Sequence, residues 1–93
     1  MTLEIVSPET KLYSGEVTSV TVPGVDGSFQ ILNHHAPIVS ILTKGEIKIA
    51  SNNFNFSKEA ESKFVKGNDQ KFNLAINSGT LEMKDNKIII LVD

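Results

Sequence analysis
The sequence predicts an all-β fold, a two-sheet β-sandwich or flattened barrel of about ten short strands. Three observations predict it: alternation of apolar and polar residues with a period of two, turn residues recurring at short intervals, and two short runs that are apolar at nearly every position. Successive side chains on a strand point to opposite faces, so period-two alternation marks a chain with one covered side and one wet side.

The alternation is explicit along most of the chain. Leu3 and Ile5 alternate with Thr2 and Glu4, Ile47 and Ile49 with Glu46 and Lys48, and Phe54 and Phe56 with Asn53 and Asn55. Phe72, Leu74 and Ile76 alternate with Asn73, Ala75 and Asn77, and Leu81 and Met83 with Thr80 and Glu82. Within residues 16–22 the apolar parity changes between Val17 and Val20, so a bulge or bend is expected to re-phase that strand. Ile38-Val39-Ser40-Ile41-Leu42 and Ile88-Ile89-Ile90-Leu91-Val92 read as strands covered on both faces, either central in the fold or lying under a partner.

Turns separate these runs. Pro23-Gly24-Val25-Asp26-Gly27 combines a proline of fixed φ with two glycines able to take positive φ, and Lys44-Gly45 and Gly67-Asn68-Asp69 act similarly. Asp85-Asn86, between two apolar runs, is the signature of a two-residue hairpin loop. One segment departs from the pattern. In Ser57-Lys58-Glu59-Ala60-Glu61-Ser62-Lys63-Phe64, Ser57 could cap a helical turn with Ala60 and Phe64 on one face. A charged surface loop with Phe64 tucked inward is the preferred reading.

Length and composition narrow the function. The 93 residues are read as one domain spanning positions 1–93, and the 40% hydrophobic and 22% charged fractions are those of an ordinary globular chain. Nine Lys+Arg against eleven Asp+Glu give a net charge of −2, without the basic surplus of a phosphate-tracking nucleic-acid binder. With no cysteine, disulfide frameworks and thiolate metal sites are excluded. No apolar run approaches the ~20 residues of a spanning helix, and no signal peptide is read at the start of the chain. No amphipathic basic helix offers a lipid-binding device, so direct membrane insertion is not expected. Asn55-Phe56-Ser57 matches a glycosylation acceptor, read as coincidence in a chain without a secretion signal.

Catalytic chemistry has no visible seat. His34 and His35 are adjacent, and a metal site needs further ligands converging from elsewhere, so a structural or interface role is expected for them. There is no G-x-S-x-G elbow. The glycine-rich segment Pro23-Gly24-Val25-Asp26-Gly27-Ser28 lacks a phosphate-binding lysine and a following helix. Glu59 and Glu61 lie in a lysine-containing polar stretch that reads as solvated surface. Neither cofactor nor metal is expected. Two non-enzymatic readings remain: a protein-binding module with an apolar patch, and a ligand-binding sandwich such as a carbohydrate-binding module with an exposed aromatic platform.

The order of motifs favours the first. Val6-Ser7-Pro8-Glu9, Tyr13-Ser14-Gly15-Glu16-Val17, Val22-Pro23-Gly24-Val25-Asp26-Gly27-Ser28-Phe29 and His35-Ala36-Pro37-Ile38 follow one another, then Lys44-Gly45-Glu46-Ile47-Lys48-Ile49 and Ser78-Gly79-Thr80-Leu81-Glu82-Met83. In this order and spacing the chain resembles the epsilon subunit of F-type ATP synthase over nearly its whole length, with P-G-x-D-G-S-F followed by H-A-P as the most specific combination.

The resemblance implies the N-terminal β-sandwich of that subunit, a non-catalytic rotor part at the foot of the central stalk. It implies binding to the gamma subunit and contact with the c ring, coupling proton flow to ATP synthesis. It also implies a peripheral position on the cytoplasmic face of the bacterial inner membrane. The c-ring contact maps onto Asp26, Gly27 and Ser28. The gamma contact maps onto His35, Ala36 and Pro37 and the following strand near Ile38–Leu42, with Ile38 and Ser40 as contact positions.

Three features depart from the family pattern. Its common P-G-H-A-P reads Asn33-His34-His35-Ala36-Pro37 here, residues 57–69 form a longer connection, and the sequence ends at Leu91-Val92-Asp93, where many members continue into two helices. Those helices carry inhibition of ATP hydrolysis and, in some members, ATP binding, so neither is expected of this chain.

Overall fold
The computed structural model describes residues 1–54, 56, 58–67 and 69–93. The elements, in order, are β1 (Thr2–Val6), β2 (Lys11–Glu16), β3 (Ser19–Gly24), β4 (Gly27–Leu32), β5 (Ile38–Leu42) and β6 (Gly45–Ala50). A helical turn, α1 (Lys58–Glu61), precedes β7 (Phe64–Lys66), β8 (Phe72–Ile76), β9 (Gly79–Lys84) and β10 (Lys87–Val92). The strands form one ten-stranded sheet in the order β2-β1-β10-β9-β5-β3-β6-β8-β7, with β4 beside β3. At the middle of this path β5 meets β3 through one residue pair, Gly24 with Leu42. There the sheet folds over into two layers, as the all-β reading requires.

The alternation decides the core. Leu3, Ile5, Leu81, Met83, Ile88 and Ile90 from one layer and Val20, Val22, Ile31, Ile47 and Ile49 from the other are almost wholly removed from water. Each such side chain contributes about 1.5–3 kcal/mol relative to exposure. β1 runs parallel to β10, with Leu3 opposite Ile88 and Ile5 opposite Ile90. The remaining pairs are antiparallel.

Turn chemistry sets the hairpins. Asp85 and Asn86, at φ 52° and 61°, occupy the left-handed region and join β9 to β10 in the two-residue loop that their sequence signals. Val25 and Asp26 join β3 to β4, and Gly27 after them has φ 121°, which L side chains rarely adopt. Gly24 differs from expectation: it lies in β3, and its glycine is required by crowding. A Cβ there would stand 2.9 Å from the Gly27 carbonyl oxygen and from the Phe29 ring.

Four other expectations are corrected. Residues 16–22 are not one re-phased strand. The chain leaves β2 at Glu16, turns through Val17 and Thr18, and enters the other layer as β3, with Val17 N–H on the Met1 carbonyl (2.9 Å) and Thr18 N–H on that of Ala50 (2.7 Å). The parity change marks a change of layer. Asn53, Phe54 and Phe56 do not form a strand; both rings pack into an aromatic cluster instead. The charged segment after them makes a helical turn with Ala60 fully buried and Phe64 inward. Burial of that small side chain favours the turn over an open loop, and Ser57, its expected cap, lies outside the described residues together with Asn55 of the acceptor motif. Finally, of the two alternatives for Ile38–Leu42 and residues 88–92, a central position covered on both faces by this chain does not hold, and the face left open defines the surface below.

Candidate partner-docking surface
β5 begins where the exposed loop of residues 33–37 ends and finishes beside the β3–β4 hairpin. Val25 N–H donates to the Ile41 carbonyl (3.2 Å) and Thr43 N–H to that of Pro23 (2.8 Å), tying the hairpin tip to the far end of β5. The two groups of expected interface residues therefore sit at opposite ends of one strand of five residues, about 13 Å apart at strand rise. Asp26, Gly27 and Ser28 are exposed at one end, and His35, Ala36 and Pro37 at the other. Ile38 and Ser40 are half-buried on the inward parity, with Ile38 packed against the core.

The outward parity belongs to Val39 and Ile41, which lie within the expected strand Ile38–Leu42 but are not its two named contact positions, Ile38 and Ser40. Val39 is 78% exposed and Ile41 62%. Register extends this face across the layer. Val39 stands opposite Glu82, and Glu82 opposite Ile89; Ile41 stands opposite Thr80, and Thr80 opposite Leu91, itself 53% exposed. Beyond β10, Glu4 lies beside Ile89 and Val6 beside Leu91. A shallow depression on this face is lined by Val39, Thr80, Leu81, Glu82, Ile89 and Leu91. The outcome is an apolar stripe in which Val39, Ile41 and Leu91 are exposed and Ile89 half-buried, divided by Thr80 and Glu82. Exposed apolar side chains occurring singly are ordinary; several sharing one sheet face are not. The signal that could have located it is the end of β5: Leu42 is the last apolar residue before Thr43-Lys44, and making it the inward anchor turns Val39 and Ile41 outward.

At the loop end, His35 N–H donates to the Leu32 carbonyl (3.2 Å), and its Nδ1 lies 2.8 Å from the Ala36 carbonyl oxygen. With Nδ1 protonated the imidazole closes on its own loop and leaves Nε2 facing outward. Among the described residues no three His, Asp or Glu side chains converge as a metal site requires. The aromatic side chains also bear on the competing reading. Tyr13 and Phe64 are buried, and Phe29, Phe54, Phe56 and Phe72 half-buried, so the described residues present no exposed ring platform for a sugar. Rings pack on rings instead, Phe54 with Phe72 and Phe56 with Phe64 at 4.6 Å between centroids.

Residues 1–60 match the family described as ATP synthase, Delta/Epsilon chain, beta-sandwich domain. The chain belongs to this family. It is similar to the ATP synthase epsilon chain of Chlorobium limicola, at 36% identity over 98% of this chain and 86% of the relative. Against that of Leptospira borgpetersenii the figures are 38%, 100% and 61%, and against that of Neisseria meningitidis serogroup C 33%, 100% and 56%. The chain thus spans most of the first relative and less than two thirds of the other two. Among solved structures, the fold matches a chain in the Tetrahymena thermophila mitochondrial ATP synthase central stalk and c ring, with TM-score 0.71 and 20% identity over 99% of this chain and 62% of that one. A chain in the Euglena gracilis mitochondrial ATP synthase matches with TM-score 0.74 and 15% identity, over 97% of this chain and 48% of that one. Membership in the epsilon-chain family accounts for the β-sandwich, and no helix among the described residues is long and apolar enough to cross a membrane.

Proposed function
We propose that this chain is a non-catalytic rotor subunit of an F-type ATP synthase, binding the gamma subunit and contacting the c ring so that proton flow is coupled to ATP synthesis. The observation that carries this reading is the apolar stripe Val39–Ile41–Ile89–Leu91, continuous with the exposed residues His35, Ala36 and Pro37. Burying such a face against a partner supplies affinity without chemistry. The family membership and the epsilon-chain relatives support the same assignment.

Gamma meets the loop of residues 35–37 and the outer face of β5, with Ile38 and Ser40 behind it setting the strand's position. The hairpin tip Asp26–Gly27–Ser28, at the opposite end of β5, faces the c ring. A rigid two-layer body held at both ends transmits torque with no bond-making step. Glu82 lies between Val39 and Ile89, so the gamma surface presents apolar side chains with a Lys or Arg opposite Glu82, because a carboxylate left unpaired at an interface opposes docking. The chain reaches the membrane through these partners, at the cytoplasmic face of a bacterial inner membrane.

The test is titration of the chain with purified gamma subunit from its own synthase. Ile41→Asp is expected to weaken binding by about tenfold or more, while leaving thermal stability within the small range usual for exposed positions. His35→Ala is expected to weaken binding with the fold intact. Wild-type chain that fails to bind gamma under conditions preserving the synthase overturns the assignment.

A further inference from the structure
The loop that presents His35, Ala36 and Pro37 has no core anchor of its own, since residues 33–37 are all exposed. Its shape nonetheless includes a costly feature. His34 has φ 63°, in the left-handed region where a side chain crowds its own backbone and glycine is the usual occupant. Part of the support is local, since the His35 N–H closes the turn on the Leu32 carbonyl (3.2 Å); a second support comes from outside the loop.

The structure places one group there. The His34 backbone N–H donates to Asn86 Oδ1 at 2.8 Å, across 52 residues of sequence. Asn86 is held firmly enough to serve. It is half-buried in the two-residue β9–β10 turn at φ 61°, and its carbonyl accepts the Thr2 N–H at 3.2 Å. On the near side of the loop, Asn33 Oδ1 accepts from the Met1 ammonium at 2.6 Å. His34 is thus fixed from the turn, and Asn33 from the start of β1.

We infer that Asn86 is a positioning residue for the partner-binding loop, its side-chain amide holding His34 left-handed so that His35, Ala36 and Pro37 meet the partner already in place. The turn alone does not require an amide. At a left-handed hairpin position glycine serves as well as asparagine, so the side chain of Asn86 is free for a second task. A loop ordered before contact does not lose that freedom on binding, which raises affinity without adding a contact. This inference rests on the reading that residues 35–37 face the gamma subunit.

Asn86→Gly separates the two tasks, keeping the turn and deleting the amide. Three readouts are taken on the full chain: thermal stability, hydrogen exchange at the His34 amide, and affinity for purified gamma subunit. Expected are a nearly unchanged Tm, faster exchange at His34, and binding weakened about three- to tenfold, the span covered by one neutral hydrogen bond. Asn86→Asp, which keeps an acceptor oxygen, is expected to restore slow exchange and most of the affinity. Unchanged exchange at His34 in Asn86→Gly shows that the amide does not hold the loop and overturns the inference. Faster exchange with wild-type affinity overturns the positioning role while leaving gamma binding intact. Wild-type chain that does not bind gamma fails the functional reading itself, and the exchange data then show a loop clasp without that purpose.

Discussion
Gly27 and Gly24 are three positions apart, and glycine is needed at each for a different reason. At Gly27 a Cβ would meet nothing within 4 Å, yet φ is 121°. Gly27→Val is therefore expected to lower stability by about 1–3 kcal/mol through backbone strain alone, read as a shift in the urea midpoint with unchanged m. At Gly24 the backbone is strand-like, and the obstacle is the neighbouring carbonyl and the Phe29 ring. Reading P-G-x-D-G from sequence identifies a turn but does not distinguish these causes. His34 is the converse case. A residue without glycine's freedom adopts φ 63° at the place where the common P-G-H-A-P has glycine, and what the letters Asn33-His34-His35 do not announce is the acceptor that Asn86 supplies from a distant turn.

The chain from Phe54 to Phe72 shows how an element forms when strand pairing is not what organises it. Phe54, Phe56, Phe64 and Phe72 join Tyr13 in one aromatic cluster, with Phe72 of β8 touching Phe54 at 4.6 Å and Phe56 at 4.9 Å between centroids, both edge-on. Edge-to-face rings gain from quadrupole alignment as well as burial. Among the described residues after β6, Phe54, Phe56 and Phe64 are held in this cluster, and Ala60 of α1 is buried. Phe72→Ala is expected to cost about 2–4 kcal/mol, somewhat below a fully buried phenylalanine because the ring is only half-buried, and to be seen as a lower urea midpoint. The same substitution is expected to leave gamma affinity nearly unchanged, since the docking face lies on β5, β9 and β10. β5 itself illustrates a limit of pattern reading. Its five residues are nearly all apolar, so alternation alone does not say which parity faces inward. Packing of Leu42 into the core decides it.

The two layers of the molecule are continuous at the β3–β5 pair and are joined on the opposite side by side chains rather than a ladder. Tyr13 of β2, only 2% exposed, reaches Phe56 and Phe64 at 5.4 and 6.3 Å, and its hydroxyl donates to the Glu16 carbonyl at 3.3 Å. Ser51 Oγ donates to that same carbonyl at 2.7 Å, tying the end of β2 to the chain leaving β6. Burial pushes the Tyr13 phenol above its usual value; a hydrogen bond with Ser51 works the other way, and the charge of Glu16 adds to the rise. The folded state therefore holds the phenolic proton more tightly than the unfolded chain does. The stability this contributes is complete below the unfolded value of about 10 and is lost as pH rises through the folded value. Unfolding free energy measured by urea between pH 9 and 11.5 is expected to fall above pH 10, and Tyr13→Phe is expected to lessen that fall. A slope identical in both proteins would remove Tyr13 as its source.

By itself the sequence determined the class of fold, most of the strands, the Asp85-Asn86 hairpin and the family, because period-two alternation, turn residues and motif order are local properties written in neighbouring letters. Only the tertiary structure decided that β1 runs parallel to β10, that the parity change after Glu16 is a crossing between layers, that Val39, Ile41, Ile89 and Leu91 share one open face, and that Asn86 holds the His34 loop. Each of these depends on at least one partner between about 15 and 85 residues away, and alternation gives the spacing of a strand's two faces without saying which neighbour will cover either of them.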